Sequence, residues 1–346
     1  MNNYTDGQKS KELKNRSFLS TQDWLKEDLI HLLDLAQAMK DGKVPAKTVF
    51  RGKSIALLFF NSSLRTRTSM ELAAYQLGGK AVVLQPSKDA WPIEVRDGIV
   101  MDAEAEEHVK EAVKVLAGFC DAIAVRSFPK FQDWAQDKKD PVLNAIARWS
   151  DKPVINMETI LHPLQELALA MTMRRHFGRD LTGKKFLLTW TYHPKPLNTA
   201  VANSAAICAT RLGMDLTILR PPGYDLDEDF MAIAKKNARD NGRTIKVTDR
   251  IEEAYRDKDF VYAKSWGSLK YFGRWDEEKL IREGLKHFIV DRAKMALTNR
   301  AFFSHCLPMR RNVKATDEVI DSNRSLIYEE ANNRLHTAKA LLATIL

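Results

Sequence analysis

Cysteine is scarce in this chain of 346 residues: Cys120, Cys208 and Cys306 are odd in number, widely spaced, and form no CxxC pair. That excludes a disulfide framework and points to a reducing compartment. No apolar run approaches the roughly 18 residues needed to span a bilayer. The opening stretch MNNYTDGQKSKELKN is polar and lacks the apolar core of a signal peptide, so the expected location is cytoplasmic and no membrane partner is expected. Residues 1–15 have little to bury and are expected to form a mobile extension. Basic residues outnumber acidic ones, 54 to 45, yet no tract of five cations and no aromatic-basic module occurs. The net charge of +9 therefore favours a small anionic substrate over nucleic acid. Three further absences narrow the chemistry. Without GxxxxGK[ST] there is no P-loop, and without GxGxxG after a strand no nicotinamide-binding turn. No DxD or HExxH pattern offers obvious metal ligands, so no metal is expected, and no cofactor is expected either.

Ten short apolar runs alternate with longer amphipathic stretches. In the first half they are 54–60, 81–85, 122–127 and 153–157. In the second they are 185–191, 215–220, 244–248, 259–265, 287–291 (HFIVD) and 302–308. Helical patterns lie between them, for example PLQELALAMTMRRHF and LNTAVANSAAICATRLG. This alternation predicts an α/β protein with two doubly wound parallel-sheet domains joined by bridging helices. The expected boundaries are 16–165 for the first domain and 166–325 for the second. A final helix over 326–346 is expected to pack back on the first domain.

In open parallel sheets ligands bind beyond the carboxyl ends of the strands, so the polar residues there carry the functional reading. SSLRTRTS, at 62–69, follows the first strand and opens a helix. Arginine is a poor choice at a helix N-terminus, where the macrodipole is already positive, unless an anion is to sit there. A solvated, charged helix start is the competing reading. Arg126, Glu158, His162, Lys264, Cys306, Arg310 and Lys314 stand at or just after the ends of other strands. Three arginines, a histidine and a helix N-terminus together describe a pocket for a dianion.

SLRTRTS, HPLQE and HCLP, in that order, resemble the fingerprint of the aspartate/ornithine carbamoyltransferases. VVLQPSKDAWPIE, PVINMETI, LTWTYHPKPLNTAVANSA and VYAKSWG are similar to the branch of that family that carbamoylates an acylated ornithine in arginine biosynthesis. The resemblance implies a carbamoyl-phosphate-binding first domain, an acyl-amino-acid-binding second domain with a knotted chain, and a homotrimer with shared active sites. It implies carbamoyl-phosphate contacts from Ser63, Leu64, Arg65, Thr66, Arg126, His162, Pro163, Leu164, Gln165, Cys306, Leu307 and Arg334. Trp91 would come from a neighbouring subunit. Of these, Arg65, Thr66, Arg126, His162 and Cys306 are the expected catalytic set. The acyl-amino acid would meet Glu158, Asn198, Lys264, Leu307 and Arg310, and Lys314 matches a lysine that carries a carboxylate on Nζ.

The implied reaction transfers the carbamoyl group of carbamoyl phosphate to the side-chain amine of N2-acetyl-L-ornithine. Relatives that use free ornithine meet its α-ammonium with an aspartate, in a loop that here reads AKSWG with Lys264. A cation there disfavours an ammonium. Succinyl-specific relatives have proline where this chain has Glu106, whose charge would repel a succinyl carboxylate. N2-succinylornithine as substrate and a non-catalytic binding paralogue are the alternatives.

Overall fold

The computed structural model describes residues 13–45 and 48–346. Most of the expected N-terminal extension, 1–12, lies outside the described residues. The chain divides into two units. One comprises Met1–Pro129, Lys138–Leu167 and Arg334–Leu346; the other comprises Lys130–Asp137 and Ala168–Asn333.

The first unit holds β1 (Ser54–Phe59), β2 (Lys80–Leu84), the two-residue strands β3 (Ile93–Glu94) and β4 (Glu107–His108), β5 (Ala122–Arg126) and β6 (Val154–Glu158). Its main sheet is parallel, in the order β2-β1-β5-β6. Successive residues Ile55, Ala56, Leu57 and Leu58 point to opposite faces, and all four are buried. That explains why β1 reads as one unbroken apolar run. On one face Ala56, Leu58, Ile123 and Val125 pack with Val109 and Val113 of the helix Val109–Phe119 and with Leu143 and Ile146 of the helix Pro141–Trp149. The strand order reverses between β1 and β5, which opens a crevice at their carboxyl ends. The helix Leu64–Gln76 begins just after β1, and Arg126 closes β5.

The second unit holds β7 (Lys185–Trp190), β8 (Asp215–Leu219), β9 (Ile245–Thr248), β10 (Phe260–Lys264) and β11 (Phe302–Ser304). They form a parallel sheet in the order β11-β10-β7-β8-β9. The helix Ala200–Arg211 is buried from Ala200 through Thr210, which accounts for its small and apolar composition. Here the order reverses between β7 and β10. Beyond their ends lie the segment Thr191–Asn198 and the loop from Lys264 to Gly267, joined by the bonds Thr191 N to Lys264 O, 3.0 Å, and Gly267 N to Leu197 O, 2.9 Å. Gly267 permits that approach, because a Cβ there would meet Pro196 Cβ at 3.0 Å and the Trp275 ring at 3.1 Å.

Nine of the ten apolar runs contain strands. The exception is HFIVD at 287–291. His287 and Phe288 belong to a 3₁₀ turn, Lys286–Phe288, and Val290 makes one isolated bridge to Ala315. Phe288 is spent on an edge contact with the Trp190 ring, centroids 5.6 Å apart, so this run buries its apolar residues without joining a ladder.

A buried polar chain fixes the two loops beyond β7 and β10. Trp190 Nε1 donates to Trp266 O at 2.9 Å, and Trp266 Nε1 donates to Tyr224 O at 2.9 Å. Tyr224 Oη donates to Glu278 Oε1 at 2.9 Å, and Arg282 Nε donates to Glu278 Oε2 at 2.7 Å. Arg282 Nη1 then donates to His193 O at 2.7 Å. Burial and the Glu278 carboxylate together push the Tyr224 phenol far above its ordinary range, so it remains a donor. Glu278 and Arg282, one helical turn apart, are 0% and 2% exposed. Truncating one member of such a pair strands the other charge, at a cost of about 3–5 kcal/mol. Arg282→Ala is therefore expected to lower the urea-unfolding free energy by that amount. An unchanged midpoint would show that this pair does not hold the loops.

Candidate functional site

The first unit gathers one group of predicted residues. Ser63 caps the helix Leu64–Gln76: its Oγ accepts from Thr66 N at 3.2 Å, and the backbone of Ser63 is extended while Leu64 starts the helix. Thr66 is fully buried, and its Oγ1 accepts from Arg334 Nη2 at 2.8 Å. Arg334 Nη1 donates to Gln165 Oε1 at 3.1 Å. With its acceptor side taken by Arg334, the Thr66 hydroxyl retains its own proton to donate. Arg65 is half-buried on this helix, whereas Arg67 is exposed and pairs with Glu71 one turn on, 3.4 Å away. Arg67 thus spends its charge on its own helix.

Arg126, at the end of β5, is buried, ion-paired with Glu158 at the end of β6, and lies over the Phe128 ring at 4.5 Å. His162 Nε2 lies 3.3 Å from the same Glu158 carboxylate. Glu158 thus stands with Arg126 and His162 in the first unit. Pro163 opens the helix Pro163–Phe177, where its missing N–H costs no hydrogen bond. Leu164 and Gln165, on the same first turn, are buried. Leu64 is 77% exposed. Trp91 is exposed too, its indole N–H donating to Glu107 Oε2 at 2.6 Å. Glu106 is exposed and makes no hydrogen bond among the described residues.

The second unit gathers another group, and two histidines that the sequence reading passed over organise it. His305 is fully buried, and its Nδ1 accepts from Leu307 N at 2.9 Å. The ring proton must then sit on Nε2, which lies 3.2 Å from Lys314 Nζ. A proton on Nε2 pointing at Nζ requires the lone pair of an uncharged amine. Lys314 is 1% exposed, and burial, with Lys264 and Arg310 nearby, brings its pKa down to about 7. Geometry and electrostatics agree that Lys314 is readily neutral.

His193, in the segment after β7, accepts from Arg310 Nε at its Nε2, 3.2 Å away, and its Nδ1 lies 2.8 Å from Lys195 O and 3.1 Å from Lys195 N. With Nε2 accepting from Arg310, the proton of a neutral ring belongs on Nδ1. Burial, and the surrounding charges of Lys314, Arg310 and Lys264, bring His193 down to about 4, so it is neutral near pH 7. Lys264, Arg310 and Lys314 thus act electrostatically on one small region. Asn198 is buried, and its Oδ1 accepts from Ala200 N at 3.2 Å, at the start of the next helix. Cys306 is buried between His305 and Leu307, and Leu307 has a φ of 51°. Ser304 and Tyr262, which precede the β11 and β10 loops, both donate to the fully buried Glu330 carboxylate, Tyr262 Oη at 2.8 Å. Among the described residues no cluster of three His, Cys, Asp or Glu could hold a metal ion.

A family model for the carbamoyl-P binding domain of aspartate/ornithine carbamoyltransferase matches residues 16–175, and its Asp/Orn binding domain matches residues 196–345. The chain belongs to the aspartate/ornithine carbamoyltransferase family. It is 58% identical, over 95% of its length and 98% of the relative's, to an N-acetylornithine carbamoyltransferase of Xylella fastidiosa. It is 38% identical, over 86% of its length and 88% of the relative's, to an N-succinylornithine carbamoyltransferase of Bacteroides thetaiotaomicron. A crystal structure of acetylornithine transcarbamylase complexed with acetylcitrulline matches with a TM-score of 0.94 at 56% identity, covering 96% of this chain and 99% of that one. The two-domain parallel α/β architecture expected from the sequence is that of this carbamoyltransferase family.

The Lys314 geometry has a measurable pH signature. Above its ordinary pKa of 10.5 the amine is neutral both folded and unfolded. Between 10.5 and about 7 only the unfolded state takes the proton, so stability falls as pH falls; below about 7 both states are charged and the loss levels off. In bicarbonate-free buffer, wild type is expected to gain stability relative to Lys314→Met as pH rises from 7 to 10. Parallel pH profiles for the two proteins would contradict a neutral Lys314.

Proposed function

We propose that this carbamoyltransferase moves the carbamoyl group of carbamoyl phosphate onto the N5 amine of N2-acetyl-L-ornithine, giving N-acetylcitrulline and phosphate, in arginine biosynthesis in the cytoplasm. The first unit is read as the carbamoyl-phosphate domain and the second as the acyl-amino-acid domain. No helix among the described residues is long and apolar enough to cross a membrane. The observation that carries the choice of an acylated substrate is the cationic surround of His193: Lys264 and Arg310 would repel the α-ammonium of free ornithine and suit a carboxylate and an acyl oxygen.

In this reading Arg65, Arg126 and the free amides at Ser63–Thr66 hold the phosphate and stabilise its growing charge as the C–O bond breaks. The amine lone pair bonds to the carbamoyl carbon, the C=O electron pair moves onto oxygen, and its return expels phosphate. Thr66, its hydroxyl proton left available by Arg334, and His162 polarise the carbamoyl oxygen. Glu158 keeps the Arg126 and His162 side chains in place. Gln165 and the backbone about Pro163 and Leu164 complete the donor site, and Cys306 lines it without becoming a covalent carrier. Asn198, Lys264, Leu307 and Arg310 would hold the acyl-amino acid. Much of the acceleration comes from orienting two bound reactants. The passage of Tyr192–Asn198 by the 264–267 loop belongs, in the same reading, to a knot.

Glu106, exposed and unpartnered, is the proposed discriminator between acyl groups. The lower identity to the succinyl-specific relative favours acetyl. A phosphate-release assay tests both points. Turnover with N2-acetylornithine is expected to exceed that with ornithine or N2-succinylornithine by roughly 100-fold or more, since a like-charge contact costs several kcal/mol. Glu106→Pro is expected to raise succinylornithine turnover and lower selectivity. A wild-type preference for ornithine would defeat the substrate assignment, and unaltered selectivity in the variant would remove Glu106 from it.

A neutral Lys314 also supports its carboxylation. The amine lone pair attacks CO2, one C=O pair moves to oxygen, and the displaced N–H proton goes to solvent. The exposed Trp91 and Leu64 support a homotrimer in which Trp91 reaches a neighbouring site. Native mass spectrometry in bicarbonate is expected to show a trimer with one added CO2 per chain, absent in Lys314→Met. A monomer, or an adduct that survives the substitution, would contradict one reading or the other.

A further inference from the structure

Away from both groups of site residues, the second unit contains a cavity of about 470 Å³ whose lining includes Arg292, Arg300, Arg324, Glu318, Ser322 and Asn323. It lies at the amino end of β11, formed by the helix Arg292–Ala296, the turn that enters β11, and the segment following Asp317–Ile320. His305 and Cys306 follow the other end of that strand, on the order of 10 Å along it at about 3.3 Å per residue. The cavity is therefore separate from the transferase residues.

Its lining carries more positive than negative charge. Several exposed arginines elsewhere are ion-paired, as in Arg67–Glu71, Arg148–Asp97 and Arg274–Glu277. None of Arg292, Arg300 and Arg324 makes an ion pair or a side-chain hydrogen bond among the described residues. The nearest carboxylates on the adjoining segment, Asp317 and Asp321, are both taken by Arg311, which does not line the cavity. Asp291 is likewise taken by Lys294, at 2.5 Å. Three guanidiniums thus face one carboxylate, Glu318. Arg324 is half-buried, its guanidinium carbon 4.6 Å from the Phe302 ring centroid, a contact that restrains the fork before any ligand arrives.

We infer that this cavity is a second anion site, which takes a phosphate-bearing small molecule. Guanidinium forks match phosphate oxygens in pairs, and Ser322 and Asn323 add neutral donors. The volume admits more than a lone ion, and Glu318 would meet a hydroxyl or amine on the body of the ligand. The wall is built into the sheet: Phe303 N donates to Arg324 O at 2.9 Å, and Leu326 N donates to Phe303 O at 2.8 Å.

Isothermal titration with pyrophosphate, at constant ionic strength, tests the assignment. In an Arg65→Ala background, which disables the proposed donor site, one pyrophosphate per chain is expected to remain bound. Adding Arg292→Glu and Arg300→Glu is expected to abolish it. The same pair in the otherwise native chain should leave carbamoyl transfer unchanged, which controls for misfolding. Glu318→Gln should tighten binding by roughly twofold to fivefold, the effect of removing one exposed like charge, a gain that damage to the fold does not produce. Orthophosphate and glycerol 2-phosphate, titrated separately, distinguish free phosphate from a phosphate ester as the occupant. Binding that survives the double reversal, or sulfate bound as tightly as pyrophosphate, would overturn the proposal.

Discussion

A parallel sheet cannot reverse its strand order without leaving a crevice between the two strands from which the order diverges, and the candidate site residues of both units depend on that constraint. In the first unit the strands are β1 and β5; in the second they are β7 and β10. Each pair is tied just past its carboxyl ends by one backbone bond, Phe60 N to Arg126 O in one and Thr191 N to Lys264 O in the other, both 3.0 Å. Arg126 and Lys264 are the terminal residues of their strands, so the bonds that end the ladders also fix where those cations emerge. A one-residue slip of β5 or β10 would turn each side chain to the other face of its sheet.

Burying so many cations requires counter-groups, and the two units meet that requirement differently. In the first, Arg126 is compensated by Glu158, and Arg334 is held by neutral oxygens of Thr66 and Gln165. In the second, the paired charges Glu278 and Arg282 serve the scaffold, and Lys264 and Arg310 act on His193 as positive charges.

The strands were legible because burial on both faces writes them as continuous apolar runs, and the same property misled at HFIVD. There the apolar residues cover Trp190 from a 3₁₀ turn, and a run this short carries no period that separates the two outcomes. The helix start at SSLRTRTS was legible from local chemistry, since Ser63 occupies the cap position and Thr66 N donates to its Oγ. What was not legible was pairing. Nothing local distinguishes Arg65 from Arg67; the exposed Glu71 one turn on does so only once the helix phase is known. His305 was in plain view in HCLP and His193 in TYHPKP, each just past a strand end. Their roles come from partners 9 and 117 residues away, Lys314 and Arg310. The buried Glu330 that ties Tyr262 to Ser304 gives no sequence signal beyond a carboxylate in a helix.

The two histidines explain how a region so rich in cations stays folded. Each presents a ring nitrogen to a basic side chain, His193 as an acceptor for Arg310 and His305 as a donor to an uncharged Lys314. Histidine can do both because the hydrogen bond at one ring nitrogen sets the role of the other. At His193 the Arg310 Nε–H occupies Nε2, which leaves the proton of the neutral ring on Nδ1, near the Lys195 carbonyl; at His305 the Leu307 amide occupies Nδ1, which sends the proton to Nε2. The two rings thus take opposite tautomers, and each is the one its neighbour needs. A charged Arg310 requires an acceptor and receives one. Lys314, faced with a donor and with Lys264 and Arg310 close by, is relieved of its proton, which lowers the local repulsion and leaves a buried, nucleophilic amine.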